Sequence, residues 1–561
     1  MALEIQTPFG TALPPAPRHA ITVHLPEWRS IVRFKDHDPE LLTALKSMYP
    51  RFILHKDVLA LTQKIIEVAG VEEGQGQQGC FVFPSWRAAR DCKDFATSPR
   101  RGPGKTVPRD RVSIRIFKTH GHVPLLYAVM FPVESTPTVH GFWVNAGVGI
   151  SSRLAEDCLR HIGSLREVKH DDEEEEERGS PDGLAHRQIK ERIAGLLNRA
   201  PTDPHRTARV SPNDVYFFST GMASIYWVHR YLLTKYSAPS VLFGFSFHST
   251  IHVLEDFGPG VDFLGLGSVQ DLEALEKHLL LASQRERERG KRGGGVQAIW
   301  AEFPSNPLLS TPDLRRLREL ADAHGALVVV DDTVGSFCNV DVLDVADIVV
   351  TSLTKSFSGY ADVMAGSAVL SPLSSRYAEL KALFETEHRD NLYTRDAETL
   401  ERNSRDYLAR SAVLNNNAER LVEYLHSEAL NPTSGVKQVF YPTVNADTLA
   451  NYTAYMRSTT PEFPRPGYGC LLSVEFRDVE TATAFYDHLH VHKGPHLGAH
   501  LTLALPYALG VYGNEADWAS EYNVRQAQVR ISVGLEETGN LVDTFRRAIE
   551  AADGRSAGLQ N

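Results

Sequence analysis

DIVVTSLTKSFSGYADVMAGS, residues 347–367, sets an apolar run, Ile348-Val349-Val350, directly before Ser352, Thr354 and Lys355. Lysine ordinarily keeps its ammonium in water. A lysine at the end of a strand that should be buried on both faces is in an expensive place unless it has a task. Desolvation and cationic neighbours lower a lysine's pKa and make it a nucleophile toward carbonyls. A solvated or salt-bridged amine is the plain alternative for most lysines. The surrounding sequence decides between the two.

Upstream, apolar runs and helical stretches alternate. Strands are predicted at 215–219, 241–245, 296–303, 326–330 and 348–350, with a helix from Gly221 to about Tyr236. A further helix is expected to open at Thr311-Pro312-Asp313, with Thr311 as its cap, and to end near His324-Gly325. Ala326–Val330 is all apolar, the pattern of a strand covered on both faces. This alternation predicts an α/β domain with a mostly parallel sheet. Residues 398–428 read as one long helix. Strands at 470–476 and 529–533, each followed by a helix, read as a smaller C-terminal α/β domain.

In open parallel sheets, ligands gather at the carboxyl ends of the strands. Four strands end there in polar groups: Ser219-Thr220-Gly221-Met222, Glu302-Phe303-Pro304-Ser305-Asn306-Pro307, Val330-Asp331-Asp332-Thr333, and Ser352-Leu353-Thr354-Lys355. Each has a plain backbone explanation alone, as a glycine turn, a rigid proline loop, a cap or a surface lysine. Together, in that order, they match what pyridoxal phosphate (PLP) requires. A lysine carries the cofactor, an aspartate keeps its pyridine nitrogen protonated, and hydroxyls with helix-start amides hold its phosphate.

On these residues the chain resembles the Cys/Met-metabolism PLP enzymes, over most of 211–555. The resemblance implies the aspartate-aminotransferase-like fold type I. It implies Lys355 as the Schiff-base lysine and Asp331 as the partner of the pyridine nitrogen. Gly221, Met222, Ser352 and Thr354 would hold the phosphate, with Thr333 alongside the cofactor and Asn306 near its ring hydroxyl. Arg530, in VRISVGLEE (529–537), would grip the substrate carboxylate. The segments LPPAPRHAITVHLPEW, YPRFILH, FWVNAGVGISSRLAE and KGPHLGAHLTLALPYALG are similar to the long fungal-type cystathionine γ-synthases. In that family a Tyr-x-Arg pair reaches the phosphate from the neighbouring subunit, so Tyr49 and Arg51 are expected to act across a homodimer or homotetramer interface.

Three positions depart from the family pattern. Phe247 stands where a tyrosine usually stacks on the cofactor, and a phenyl ring cannot transfer a proton. His248 follows it, as a plain loop histidine or as a titratable substitute. His496 stands at the substrate side where a serine is expected, and Phe142-Trp143-Val144-Asn145-Ala146-Gly147 replaces a F-W-Q-H-T-G segment. These changes suggest a shifted substrate, as in a specialised-metabolism paralogue. The implied reaction is γ-substitution on an O-acylhomoserine-type amino acid, with cysteine as the nucleophile giving cystathionine. A C–S lyase, a γ-synthase using a nucleophile other than cysteine, and a catalytically inactive PLP-fold binding subunit are the alternatives.

The rest of the chain bounds this reading. At 561 residues more than one domain is expected, and a net charge of -11 argues against nucleic acid as the partner. The five cysteines are scattered, without metal spacing, as in a reducing cytoplasm. No apolar stretch reads as a signal peptide or a membrane span. The expected divisions are an extended N-terminal arm, 1–70, with helix from 41 broken near Tyr49-Pro50-Arg51; a family-specific insertion, 71–210; the PLP-binding domain, 211–397; and the small domain, 398–561. Residues 71–110 show no clean period, and strands are expected at 112–116 and 125–131. The charged blocks at 171–183 and 283–295 read as solvated loops.

Overall fold

The computed structural model describes residues 2–70, 76–102, 104–121, 123–169, 183–288 and 295–554. Three sheets organise them. The first is antiparallel, in the order β1 (Gln78–Phe83), β3 (Leu126–Pro132), β2 (Ser113–Lys118), β4 (Arg166–Val168). The second has seven strands: β5 (Val215–Phe218), β11 (Gly366–Leu370), β10 (Ile348–Thr351), β9 (Leu327–Asp331), β8 (Ala298–Glu302), β6 (Ser240–Phe243) and β7 (Val261–Leu264). Its β10-β9-β8-β6-β7 run is parallel, and β11 is antiparallel to both of its neighbours. The third, in the order β12 (Val436–Phe440), β13 (Leu471–Phe476), β16 (Gln528–Ser532), β15 (Leu503–Leu505), β14 (His492–Lys493), belongs to the C-terminal domain. This is the α/β, fold type I architecture expected of the sequence.

The central strands are short and buried except for Asp331 at the end of β9, as apolar runs flanked by helices must be. Their ends are set by local chemistry. Gly244, at φ +80°, stops β6 two residues before the expected end. The helix expected at Thr311 starts at Leu314, because Asp313 is its cap and accepts from the Arg316 amide at 3.0 Å. Thr311 instead donates to the Thr448 carbonyl.

The long C-terminal helix is two helices, Thr394–Asn403 and Tyr407–Ala429. Arg410 explains the break. Its guanidinium takes the Asn403 carbonyl, together with those of Ser356, Phe357 and Ser358, so that carbonyl is not left for a continuing helix. The first of the two helices packs on the helix Leu184–Asn198.

The insertion contains more order than its sequence suggested. Between 76 and 102 it forms β1 and the helix Trp86–Thr97, capped by Ser85. Its core is continuous with that of the large domain: Phe142 packs edge-on against Tyr226, which packs on Phe257. Residues 283–288, expected in a loop, finish the helix Val269–Glu288. Residues 289–294 of that block, and 171–182 of the acidic block, lie outside the described residues.

The N-terminal arm lies on its own chain. Leu25 donates to the Lys493 carbonyl, Thr7 pairs with His492, and Val23, Leu25, Trp28 and Ile31 join the small-domain core. Helices Pro39–Ala44 and Lys56–Ala69 flank the non-helical segment that carries Tyr49-Pro50-Arg51. Among the described residues no helix is long and apolar enough to cross a membrane.

Candidate active site

The carboxyl ends of β5, β8, β9 and β10 open on one cavity. Lys355 lines it, as do Gly221, Met222, Phe247, Asn306, Asp331, Thr333, Ser352, Thr354, Tyr49, Arg51 and Arg530. His496 is buried behind the wall, between the lining residues Pro495 and Leu497.

On the floor, β10 delivers Ser352 to Lys355 into the turn after Thr351. The Ser352 amide donates to Thr333 Oγ1 at 2.8 Å, and the Thr333 amide donates to Asp331 Oδ1 at 2.9 Å. Next to this chain the helix Gly221–Tyr236 begins, capped by Thr220. A Cβ on Gly221 would come within 2.5 Å of Ser352, so only glycine lets this helix start approach the β10 turn. The Thr354 hydroxyl donates to the Ala365 carbonyl and accepts from the Ala365 amide.

Glu302 stands in the second polar strand end but was given no role from the sequence. It ends β8 in register with Asp331 of β9, and its carboxylate accepts from the Phe247 amide at 2.6 Å and the Asn306 amide at 2.8 Å. Burial pushes both carboxyls up, Glu302 far above its ordinary value with the Asp331 charge adding to the effect. Its signal was present: like Asp331, it is an acidic residue closing an apolar strand.

Asn306 joins two other groups instead of standing alone. Its amide donates to Tyr507 Oη at 3.1 Å, and its carbonyl accepts from Arg530 Nη1 at 3.2 Å. Arg530 also donates to the Pro495 carbonyl and stands over the Tyr507 ring at 4.6 Å. Tyr507, a lining residue, gave no local signal.

The wall is completed by the arm of the same chain. Lys355 Nζ donates to Tyr49 Oη at 3.0 Å. Arg51 donates to the Val144 carbonyl and lies 5.1 Å from the Phe247 ring centre, while its Nη2 is buried without a partner. Trp143 Nε1 donates to the Pro50 carbonyl. Tyr49 and Arg51 stand beside the Lys355 of their own chain, their segment held against residues 143–144. The altered Phe142–Gly147 stretch supports this segment through Trp143 and Val144, and so reaches the cavity through Tyr49 and Arg51.

Burial, with Arg530 and Arg51 nearby, lowers the Lys355 pKa against the opposing pull of Tyr49. Burial alone would raise the Tyr49 phenol, but the charges of Lys355 and Arg51 outweigh it and bring it down to about 8. Burial, then Lys355 and Arg530, push His496 well below its ordinary value, so it is a neutral imidazole, and neither of its ring nitrogens has a partner.

Residues 213–550 match the Cys/Met metabolism PLP-dependent enzyme family, and 57–151 match the fungal trans-sulfuration enzyme N-terminal domain. An alanine racemase of Aspergillus violaceofuscus is 36% identical, with 96% of each chain covered. A cystathionine gamma-synthase of Neurospora crassa is 33% identical, over 98% of this chain and 99% of that one. In structure the chain is similar to cystathionine gamma synthase from Xanthomonas oryzae in complex with aminoacrylate and cysteine. That likeness has a TM-score of 0.53 at 24% identity, over 66% of this chain and 87% of the other.

Proposed function

This chain belongs to the Cys/Met metabolism PLP-dependent enzyme family, and from that premise we propose that it catalyses γ-replacement on an O-acylhomoserine-type amino acid, as a cystathionine γ-synthase does. The cavity fits the cofactor. Arg51 Nη2 is a buried cationic donor with no partner, the Gly221 turn is a cradle that a Cβ would fill, and Asp331 with Glu302 is a buried acidic pair with no cation beside it among the described residues. Arg51, Ser352 and the amides at Gly221 and Met222 would take the phosphate, and Asp331 would face the pyridinium nitrogen. When bound, PLP supplies an electron sink that makes carbon acids next to the amino group accessible.

The observation that carries the reading is the 3.0 Å contact between Lys355 Nζ and Tyr49 Oη. γ-Replacement removes a proton from Cα and another from Cβ before the leaving group departs. Lys355, with its lowered pKa, takes and returns protons at these carbons. Tyr49, with a phenol brought down to about 8, is within reach to relay them. Arg530, oriented by Asn306 and Pro495, binds the α-carboxylate. Phe247 has no proton to exchange, so proton transfer falls to Lys355 and Tyr49.

The test is product analysis with purified protein, O-acetylhomoserine and cysteine. Cystathionine as the main product supports the proposal. A 2-oxo acid and ammonia formed equally well without cysteine identify a lyase. D-alanine formed from L-alanine, with no turnover of the acylhomoserine, identifies a racemase. Either of the last two overturns it.

A further inference from the structure

We propose that His248, His252 and Glu515 form a binding site for one divalent transition-metal cation of the zinc class, set in the outer wall of the cavity. His248 and His252 sit one turn apart on the helix His248–Asp256, the i, i+4 spacing that aims two imidazoles at one point. Glu515 comes from the segment that follows Tyr512. The three side chains offer ligand atoms within 4.8 Å of one another.

Without a cation, His248 Nε2, Glu515 and His252 Nε2 meet around one shared proton. His248 Nε2 lies 2.9 Å from Glu515 Oε2 and 3.1 Å from His252 Nε2. An imidazole nitrogen carries one proton or one lone pair. As a donor, His248 must divide a single proton between a carboxylate and a second imidazole. As an acceptor, it turns a lone pair on a carboxylate. A cation satisfies all three lone pairs at once. Ligands at tetrahedral zinc stand about 3.3 Å apart for bonds of about 2.0–2.1 Å, close to the spacings here. Two imidazoles and a carboxylate are a ligand set that zinc accepts, leaving one position for water.

The surroundings agree. His252 Nδ1 faces Glu255 at 4.0 Å, the side from which a metal-bound histidine is usually oriented.

A second cluster of similar composition shows what a satisfied set looks like. His19, His55 and Asp57 are also within ligand distance. There His19 pairs with Ser152 and Glu156, and His55 accepts from the Asp57 amide and pairs with the Arg18 carbonyl. Asp57 holds Arg18 with both oxygens. Both ring nitrogens of each histidine in that cluster are taken by protein partners.

The cation would tie the start of the His248 helix to the 507–515 segment. Phe247, next to one ligand, lines the cavity, as do Tyr507 and Val511 from the other side, and the His248 ring meets Tyr512 at 5.0 Å. No ligand lines the cavity, so the role is positioning: the metal fixes the wall that carries Tyr507.

The experiment uses untagged, cofactor-loaded protein, stripped with chelator, dialysed against zinc chloride and analysed for bound metal by mass spectrometry. All five cysteines are buried and do not compete. One equivalent of zinc is expected in the wild type. His252→Ala and Glu515→Gln should each weaken its binding by at least about 100-fold, while His278→Ala, elsewhere on the surface, should leave it unchanged. Retained cofactor absorbance and circular dichroism confirm that the variants are folded. Should one fail that check, the other decides, and cobalt substitution gives an independent reading through its visible bands, lost when a ligand is removed. Zinc bound equally by the wild type and both variants, or no saturable site in the wild type, overturns the proposal.

Discussion

The floor and the wall of the cavity treat their polar groups in opposite ways. On the floor the partners come from the protein itself. Thr333 accepts from Ser352, Asp331 from Thr333, Glu302 from two amides, and Thr354 is matched in both directions by Ala365. On the wall, Arg51 Nη2 and both nitrogens of His496 are buried with no partner, and Tyr49 is engaged by Lys355 itself. Buried polar groups are nearly always satisfied, so unsatisfied ones clustered at a cavity mark where a ligand completes the structure. The floor is preorganised, and the wall is waiting for the ligand.

If that contrast holds, the largest effect belongs to Lys355, where floor and wall meet. Lys355→Ala should lower turnover of O-acetylhomoserine by at least about 10³-fold, the usual worth of a proton-transfer group, with the melting temperature nearly unchanged. A variant that keeps more than a tenth of the wild-type rate would remove Lys355 from the chemistry.

Arg51→Ala comes next. It removes charged hydrogen bonds of about 1.5–3 kcal/mol, so the cofactor should bind about 10–150-fold more weakly, measured by fluorescence titration of cofactor-free protein. The same variant tests whose wall it is. Tyr49 and Arg51 face the Lys355 of their own chain, so co-expressing Lys355→Ala chains with Arg51→Ala chains should restore no activity. A swapped arm would rebuild one intact site in each mixed dimer, and recovered activity would return the pair to the neighbouring subunit.

The same contrast explains what could be read in advance. Every floor residue named from the sequence follows its strand within a few positions, so an apolar run ending in a polar group located Gly221, Asp331, Thr333, Ser352 and Lys355. Glu302 obeys the same rule and could have been found by it. The wall is built from distant residues. Lys355 meets Tyr49 across 306 positions and Asn306 meets Tyr507 across 201, and no local pattern encodes such a pairing. Tyr49 and Arg51 were reached through resemblance. The helix Trp86–Thr97 lay in a stretch with no clean period, although its Ser85 cap was there to be read.

Tyr49 offers a smaller and more specific test. In protein freed of cofactor its phenol should titrate near 8, below the value of about 10 for an ordinary tyrosine. The lowering comes from Lys355 and Arg51, so the phenolate forms as pH rises through 8. An ultraviolet difference spectrum should show that step in the wild type. It should vanish in Tyr49→Phe and move up in Arg51→Ala. A first tyrosine titrating only near 10 would mean that the cationic wall does not act on Tyr49.

The finest test separates a waiting group from a badly packed one. His496 is neutral, buried and unpartnered at both nitrogens. Replacing it with leucine removes two unsatisfied polar atoms, so global stability should hold within about 1 kcal/mol or rise. If the imidazole meets the ligand through a neutral hydrogen bond, kcat/KM should fall about 2–12-fold, the worth of one such bond. The two readouts must part company for the contrast to stand. A loss of several kcal/mol with unchanged kcat/KM would make His496 a structural residue of the small domain. The open valences of the wall would then reduce to those of Arg51, and its readiness for ligand would concern the cofactor's phosphate alone.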